Sequence, residues 1–407
     1  MDDAENFGST LPCAQRCGSL YTRLMRAFGL LGCLVVCGCD PTQGLIPDGG
    51  AGDATLADVA ALGDAAADAL DAYEEPEDVL AGCTPGEIQP TQLRCTGLYS
   101  SFTKRVVAPE AVAYEPGYQL WSDGAQKKRY IQLPPGAQID VTSMDDWTFP
   151  IGTKVWKEFY ADVSGKSRLI ETRYMVKGPD ELWTRISYVW TEDGSAALAQ
   201  PNGVAKVPGT TNYEVPSQQL CGRCHGGRID NVLGFEAIAL AAPNATGLAY
   251  GALQTKKLLK STNQNHEKAA STLQVPGTTA EREALAYMHM NCGVTCHNPV
   301  TPGAKYVARL EAAKLGSVAE TTFMTELVNQ QSSWVAPGET GKTYRARPTD
   351  SSRSAIYLRM GLRDEVAGNG MQMPPFATHQ VDIAGRQVVK AWIDSMTTTA
   401  GYPAPAP

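Results

Sequence analysis

Cys221-Gly-Arg-Cys224-His225 is the stretch on which the reading of this chain turns. Cys-x-x-Cys-His is the signature of c-type haem attachment. The spacing follows from the chemistry. Two thiols add across the two vinyl groups on one edge of a porphyrin, and the adjacent His lies under the ring and ligates iron from the proximal side. A longer version follows at Cys292-Gly-Val-Thr-Cys296-His297, with one more residue between the thiols. Here a bulged loop is expected to return the second sulfur to its vinyl. The competing reading of the second motif is a disulfide or metal loop with His297 incidental. For the two motifs together it is a four-thiolate zinc site, disfavoured because each motif ends in His and the two lie far apart in sequence.

A His-ligated iron that carries electrons usually has a second ligand, and Met is a common one that raises the potential. Downstream stands Gly370-Met371-Gln372-Met373-Pro374-Pro375-Phe376. The prolines fix φ and stiffen the loop that presents the thioether. Residues 381–396 then read as a helix, with Asp382 near its start and Ile383, Val388, Val389 and Trp392 at helical spacing. Motif, Met loop and closing helix are the order of parts in a class I cytochrome c domain. Met373 is the expected distal ligand of the iron on His297, with Met371 as the alternative. The first site has no such partner nearby. His266 lies in a polar run, and Met288, His289 and Met290 run directly into the second motif. The alternative is a five-coordinate iron.

Working outward, residues 100–200 change character. The segments 127–132, 153–161, 168–176 and 181–191 are rich in Val, Ile, Tyr, Trp and Thr, and turn signals such as Ser164-Gly165-Lys166 and Gly178-Pro179-Asp180 separate them. This predicts an antiparallel β-sandwich-like domain with Trp147, Trp156, Trp183 and Trp190 in its core. Cys83 and Cys95 bracket its start and are expected to form a disulfide in an oxidising compartment. Residues 354–360 read as a short helix beside the second haem, and arginines nearby are candidates to neutralise propionates.

The formal net charge is −8, which argues against a general nucleic-acid binder. The charge is unevenly spread. Residues 40–82 hold eleven acids and no Lys or Arg, residues 1–38 sum to zero, and residues 83–407 carry 29 acids against 32 bases. An Ala-rich acidic stretch with few bulky apolar groups reads as an extended, self-repelling tether. Ahead of it, Arg23 and Arg26 precede an apolar segment ending at Cys39, the proportions of an export signal. A small residue before Cys resembles a bacterial lipobox, with Cys39 the expected lipidated residue and Cys33 the alternative. Met25 is an alternative start.

The quoted motifs, with Tyr213-Glu-Val-Pro ahead of the first, Ala286-Tyr-Met-His-Met-Asn ahead of the second, Leu120-Trp-Ser-Asp-Gly-Ala-Gln-Lys-Lys-Arg and Trp147-Thr-Phe-Pro-Ile-Gly-Thr, carry a resemblance. Over roughly residues 83–396 the chain resembles bacterial dihaem c-type cytochromes of a family often labelled only as conserved hypothetical. The extra residue between Cys292 and Cys296 departs from that family's usual spacing. The resemblance implies electron transfer and names no physiological partner.

Together these readings give a multidomain α+β chain, an N-terminal antiparallel β-sandwich-like domain followed by a mainly α-helical class I cytochrome c-like haem region. The expected division is 1–39 signal peptide and lipobox, 40–82 linker, 83–212 β-rich domain, 213–285 first haem region, 286–398 second haem domain and 399–407 Pro-rich tail. The expected function is an exported, membrane-tethered carrier of two covalent haem c groups, in the periplasm or at the cell surface, docking an unidentified redox protein. The alternatives are a peroxidase-like dihaem oxidoreductase with one open iron, and a disulfide-stabilised binding module without haem.

Overall fold

Between residues 126 and 190 β-branched and aromatic residues alternate with polar ones, and the turn residues fall where hairpins need them. The structure, a computed structural model, describes residues 82–226, 228, 230, 232–301, 305–338, 341–363 and 370–397. The signal segment with Cys39, the linker up to residue 81 and the tail 399–407 lie outside the described residues. All of the described residues belong to one compact unit, Glu74–Pro407.

The strands are β1 (Tyr99–Ser101), β2 (Val106–Val107), β3 (Val112–Glu115), β4 (Gln126–Gln132), β5 (Ile139–Asp140), β6 (Lys154–Val163), β7 (Lys166–Lys177), β8 (Trp183–Trp190), β9 (Ala197–Ala199), β10 (Thr246–Gly247) and β11 (Leu259–Lys260). A seven-stranded antiparallel sheet runs in the order β10-β3-β4-β6-β7-β8-β9. Its four long strands coincide with the four segments expected from the sequence.

Side chains point to opposite faces at successive positions, and here both faces are covered. On one, Tyr130, Trp156, Tyr174 and Ile186 stand in register across four strands. Leu93, Leu98 and Tyr99 from the N-terminal segment bury them. On the other, Ile131, Val155, Met175 and Trp183 pack under Trp147, Phe149 and Phe235. All four of the expected tryptophans are buried. Among the described residues two small two-stranded sheets accompany the large one, β1-β2 and β5-β11; Tyr99 of the first and Ile139 and Leu259 of the second join loops and short helices in covering its faces.

The helices are α1 (Gln218–His225), α2 (Ala237–Ala241), α3 (Tyr250–Thr255), α4 (Thr279–Met288), α5 (Thr322–Glu326), α6 (Ala355–Met360) and α7 (Ile383–Ser395). Among the described residues the C-terminal region is helical only in part. Most of these helices have one or two turns and long irregular connections separate them, because Pro, Gly and Ser interrupt the periodic segments. The longest is α7, capped where the sequence placed its start, with Asp382 accepting from the Gly385 amide. It crosses α4 closely, and Val389, Trp392, Ile393 and Met396 share a core with Leu285, Met288, Phe323 and Leu327. At the crossing a Cβ on Gly385 would lie 2.2 Å from the Tyr287 ring. Helix α4 opens with a capping box, Thr278 and Glu281 each bonding the other's backbone. Among the described residues no helix is long and apolar enough to cross a membrane.

Candidate functional site

None of the four thiols of the two motifs is in a disulfide, whereas Cys83 and Cys95 are joined in the expected one. Cys221 and Cys224 sit in the last turns of α1, three residues apart and therefore on one helix face, with His225 next. Helix α1 lies against β8 of the large sheet. Arg173 on β7 and Arg185 on β8 act electrostatically on Cys221 and oppose the rise in its thiol pKa that burial causes.

The second motif is not the bulged loop expected from its spacing. Helix α4 continues into a π-helical turn, His289–Gly293, and the chain keeps turning, with the Cys296 amide on the Cys292 carbonyl at 3.0 Å and the His297 amide on the same carbonyl at 2.7 Å. A separation of four residues in a helical turn is as co-facial as one of three, so the extra residue leaves both sulfurs on one side. Segment 306–310 runs across this turn. Ala308 donates to the His297 carbonyl at 2.8 Å, and a Cβ on Gly293 would meet the Ala308 carbonyl at 2.2 Å. Tyr306 stacks on the His297 ring with centroids 4.2 Å apart. Burial holds the imidazole neutral, with its pKa down to about 4, and its Nδ1 is buried without a hydrogen-bond partner.

The motifs meet. The Cys296 sulfur lies 3.7 Å from the Arg223 carbonyl, and the Cys224 thiol donates to Cys296, which lowers the Cys296 thiol to about 7. Distance in sequence, the ground for setting a shared site aside, is therefore no barrier in the fold. Among the described residues no group of three or more His, Cys, Asp or Glu side chains is gathered as metal ligands.

The Met loop lies at the same junction. The Met373 amide donates to the Arg359 carbonyl at 3.0 Å, and Arg359, on α6, acts electrostatically on His297. Helix α6 thus stands beside the second motif, as its sequence suggested. The loop also reaches the first motif. Arg223 lies over the Phe376 ring at 5.7 Å, and His379 Nε2 is 2.7 Å from Glu214, seven residues ahead of Cys221. Met371 and Met373 are half-buried.

Two other candidates are engaged elsewhere. His266 Nδ1 is 2.8 Å from the Ser261 hydroxyl. His289 is fully buried, its Nδ1 accepts from the Leu310 amide at 3.0 Å, and its Nε2 faces Glu236 at 3.5 Å.

Sequence reasoning assigned Leu120-Trp-Ser-Asp-Gly-Ala-Gln-Lys-Lys-Arg only to the β domain. In the fold it ties the site together. The Trp121 amide donates to Asn291, next to Cys292, at 2.6 Å, and Trp121 Nε1 donates to the Gln380 carbonyl at 3.2 Å. Asp123 accepts from the His379 amide at 2.8 Å and the Gln380 amide at 3.1 Å. Its density of polar and aromatic residues was the available signal. Asp146 similarly bridges Arg228, after the first motif, and Arg309, after the second, at 2.6 and 3.3 Å.

The residues present fit covalent haem at both motifs, on three grounds. None of the four thiols is in a disulfide and each motif's two cysteines are co-facial; each pair is followed by His; and His297 is a neutral imidazole with a buried, unpartnered nitrogen. Comparison with known proteins finds no matching family model, no matching curated protein and no matching solved structure.

Proposed function

We propose that the chain is an exported dihaem c-type cytochrome that carries electrons. The observation that carries this reading is the meeting of two Cys-Cys-His motifs, from distant parts of the sequence, with none of their four thiols in a disulfide. When bound, each haem supplies a one-electron iron couple. Cys221 and Cys224 hold one and Cys292 and Cys296 the other, as thioethers. His225 and His297 would each ligate one iron, and Met373 would supply the second ligand to the iron held by His297. The adjacency of the motifs supports electron exchange between the two sites. Tyr306 stacks on His297, and Trp121 holds the junction through Asn291 and Gln380.

The Cys83–Cys95 disulfide supports an oxidising compartment. With the signal segment and Cys39 it supports a lipid-tethered protein of the bacterial envelope. The partner is a redox protein. The body's near-neutral charge suits docking through a local patch rather than a large field.

A second reading, a peroxidase-like oxidoreductase, is favoured by one observation: His266 and His289, candidates for the first iron, are engaged by Ser261 and by Leu310 and Glu236. A spectroscopic redox titration separates the two. The carrier gives two low-spin irons that titrate reversibly and no peroxide turnover. A high-spin iron with peroxide turnover establishes the oxidoreductase instead.

A further inference from the structure

Three cations stand side by side on the sheet face that meets the motifs. Arg129 on β4 pairs in register with Lys157 on β6, and Lys157 with Arg173 on β7. Lys127, two residues before Arg129, shares its face, and Arg185 on β8 stands diagonal to Arg173. Like charges directly opposite one another in a sheet are destabilising, and this sheet sets two such pairs in one row. The band is also placed where charge is least expected. It separates two apolar clusters on the same face, Ile131, Val155 and Met175 to one side and Phe159 with Tyr213 to the other.

Internal partners offset only part of this. Glu115 pairs with Arg129 at 2.8 Å, and Glu171 takes Arg173 in two contacts of 2.7 and 3.1 Å while also accepting from the Tyr213 hydroxyl. The other three meet only carbonyl oxygens at close range: Lys127 that of Leu120 at 2.6 Å, Lys157 that of Leu233 at 3.3 Å and Arg185 that of Trp183 at 3.2 Å. Glu115 and Asp382 act on Lys127, and Asp230 on Arg185, without forming an ion pair with them. Burial, with the neighbouring guanidinium groups, lowers the pKa of Lys127 to about 7 and of Lys157 well below the usual lysine value. Lys127, Lys157 and Arg185 are half-buried and none of them has a carboxylate in contact, so the row holds more basic groups than Glu115 and Glu171 can pair, and an anion set beside it would favour the protonated lysines.

The row has a direction. The helix that carries Cys221 packs on β8, the strand of Arg185; Arg173 and Arg185 act on Cys221, and Arg173 also on Cys224. From there the row runs away from the thiols across two strand spacings to Arg129, about 10 Å. A porphyrin held by its vinyl edge carries its two propionates on the other half of the ring.

We propose that Lys127, Arg129, Lys157, Arg173 and Arg185 form a carboxylate-binding floor that takes the propionates of the haem held by Cys221 and Cys224. This rests on the haem reading above. The same chemistry would suit a free oxyanion, and the test separates the two sources.

The test is potentiometry of the haem-loaded full-length protein, wild type against Lys157→Met, Lys127→Gln and Lys157→Arg, with the haem count taken on each sample. A cation beside a haem favours the added electron. The Met and Gln variants are therefore expected to lower the midpoint of one haem and leave the other unchanged, and Lys157→Arg to restore it. Inorganic phosphate and acetate, against chloride at equal ionic strength, are expected to change nothing. Two haems with unmoved midpoints in both neutral variants overturn this inference and leave the haem reading intact. A saturable response to phosphate or acetate in wild type, lost in Lys157→Met, overturns the propionate assignment in favour of a free anion. Absence of haem from the wild type overturns both.

Discussion

Asp230 shows how much of the site depends on single buried polar groups. It accepts from the Phe149 amide at 2.7 Å, from Lys177 at 2.8 Å and from Trp183 Nε1 at 2.5 Å, and both partners of the ion pair are almost fully buried. It fastens the chain beyond the first motif to the sheet. Removing one partner of a buried pair leaves the other charge uncompensated. Asp230→Ala is therefore expected to lose about 3–5 kcal/mol in a denaturant titration, with Lys177→Met/Asp230→Leu losing much less. Lys127 gives a pH test. Its folded pKa, about 7, lies below its unfolded value, mainly through burial. Between pH 7 and about 10.5 the unfolded chain binds the extra proton, so this group makes stability rise with pH across that window. Without haem, wild type is expected to gain on Lys127→Met as pH rises from 7 to 10. A constant difference between them would contradict the assignment. Met373→Ala is expected to lower one midpoint and change the visible spectrum of one haem. An unchanged spectrum and potential would remove Met373 as a ligand.

At the scale of elements, the strands were legible because period-two alternation and turn residues agree from residue 126 to 190. Helix α7 was legible because its cap and apolar stripe agree. The second motif was misread because spacing was judged in isolation. The extra residue enters a helical turn that α4 had already begun, and only the preceding helix reveals this. What covers the large sheet was hidden for a similar reason, since local alternation shows that a face is buried and not what buries it. The helix pair α4–α7 carries its own test. Ala is a better helix former than Gly by roughly 1 kcal/mol, yet Gly385→Ala drives a methyl into the Tyr287 ring. Overpacking of that kind costs about 1–3 kcal/mol. The variant is expected to melt at lower temperature than wild type, and a higher melting temperature would mean that the helices separate at no cost.

Across the whole molecule, the chemistry-bearing residues were all visible in the sequence, and their juxtaposition was not. Cys221, Cys296, Phe376 and Trp121 come from four separate segments, and nothing local in any one names the others. The cation row on β4, β6 and β7 is equally hidden, because it exists only once the strands are in register. The net charge of −8 belongs to the acidic segment 40–82, while the body balances its charges and concentrates cations beside the first motif. The Cys83–Cys95 bond closes a loop within the N-terminal segment, whose Leu93 and Leu98 pack on the sheet. Cys83→Ser with Cys95→Ser is expected to lower stability by about 2–4 kcal/mol and to leave the haem content unchanged. The central claim, that both motifs hold haem covalently, is tested most directly by pyridine haemochrome quantification on denatured protein matured in a host competent for c-type cytochromes. The expected result is two covalently bound haems per chain, falling to one when either motif loses its cysteines to serine. A chain that matures with no covalent haem would contradict it.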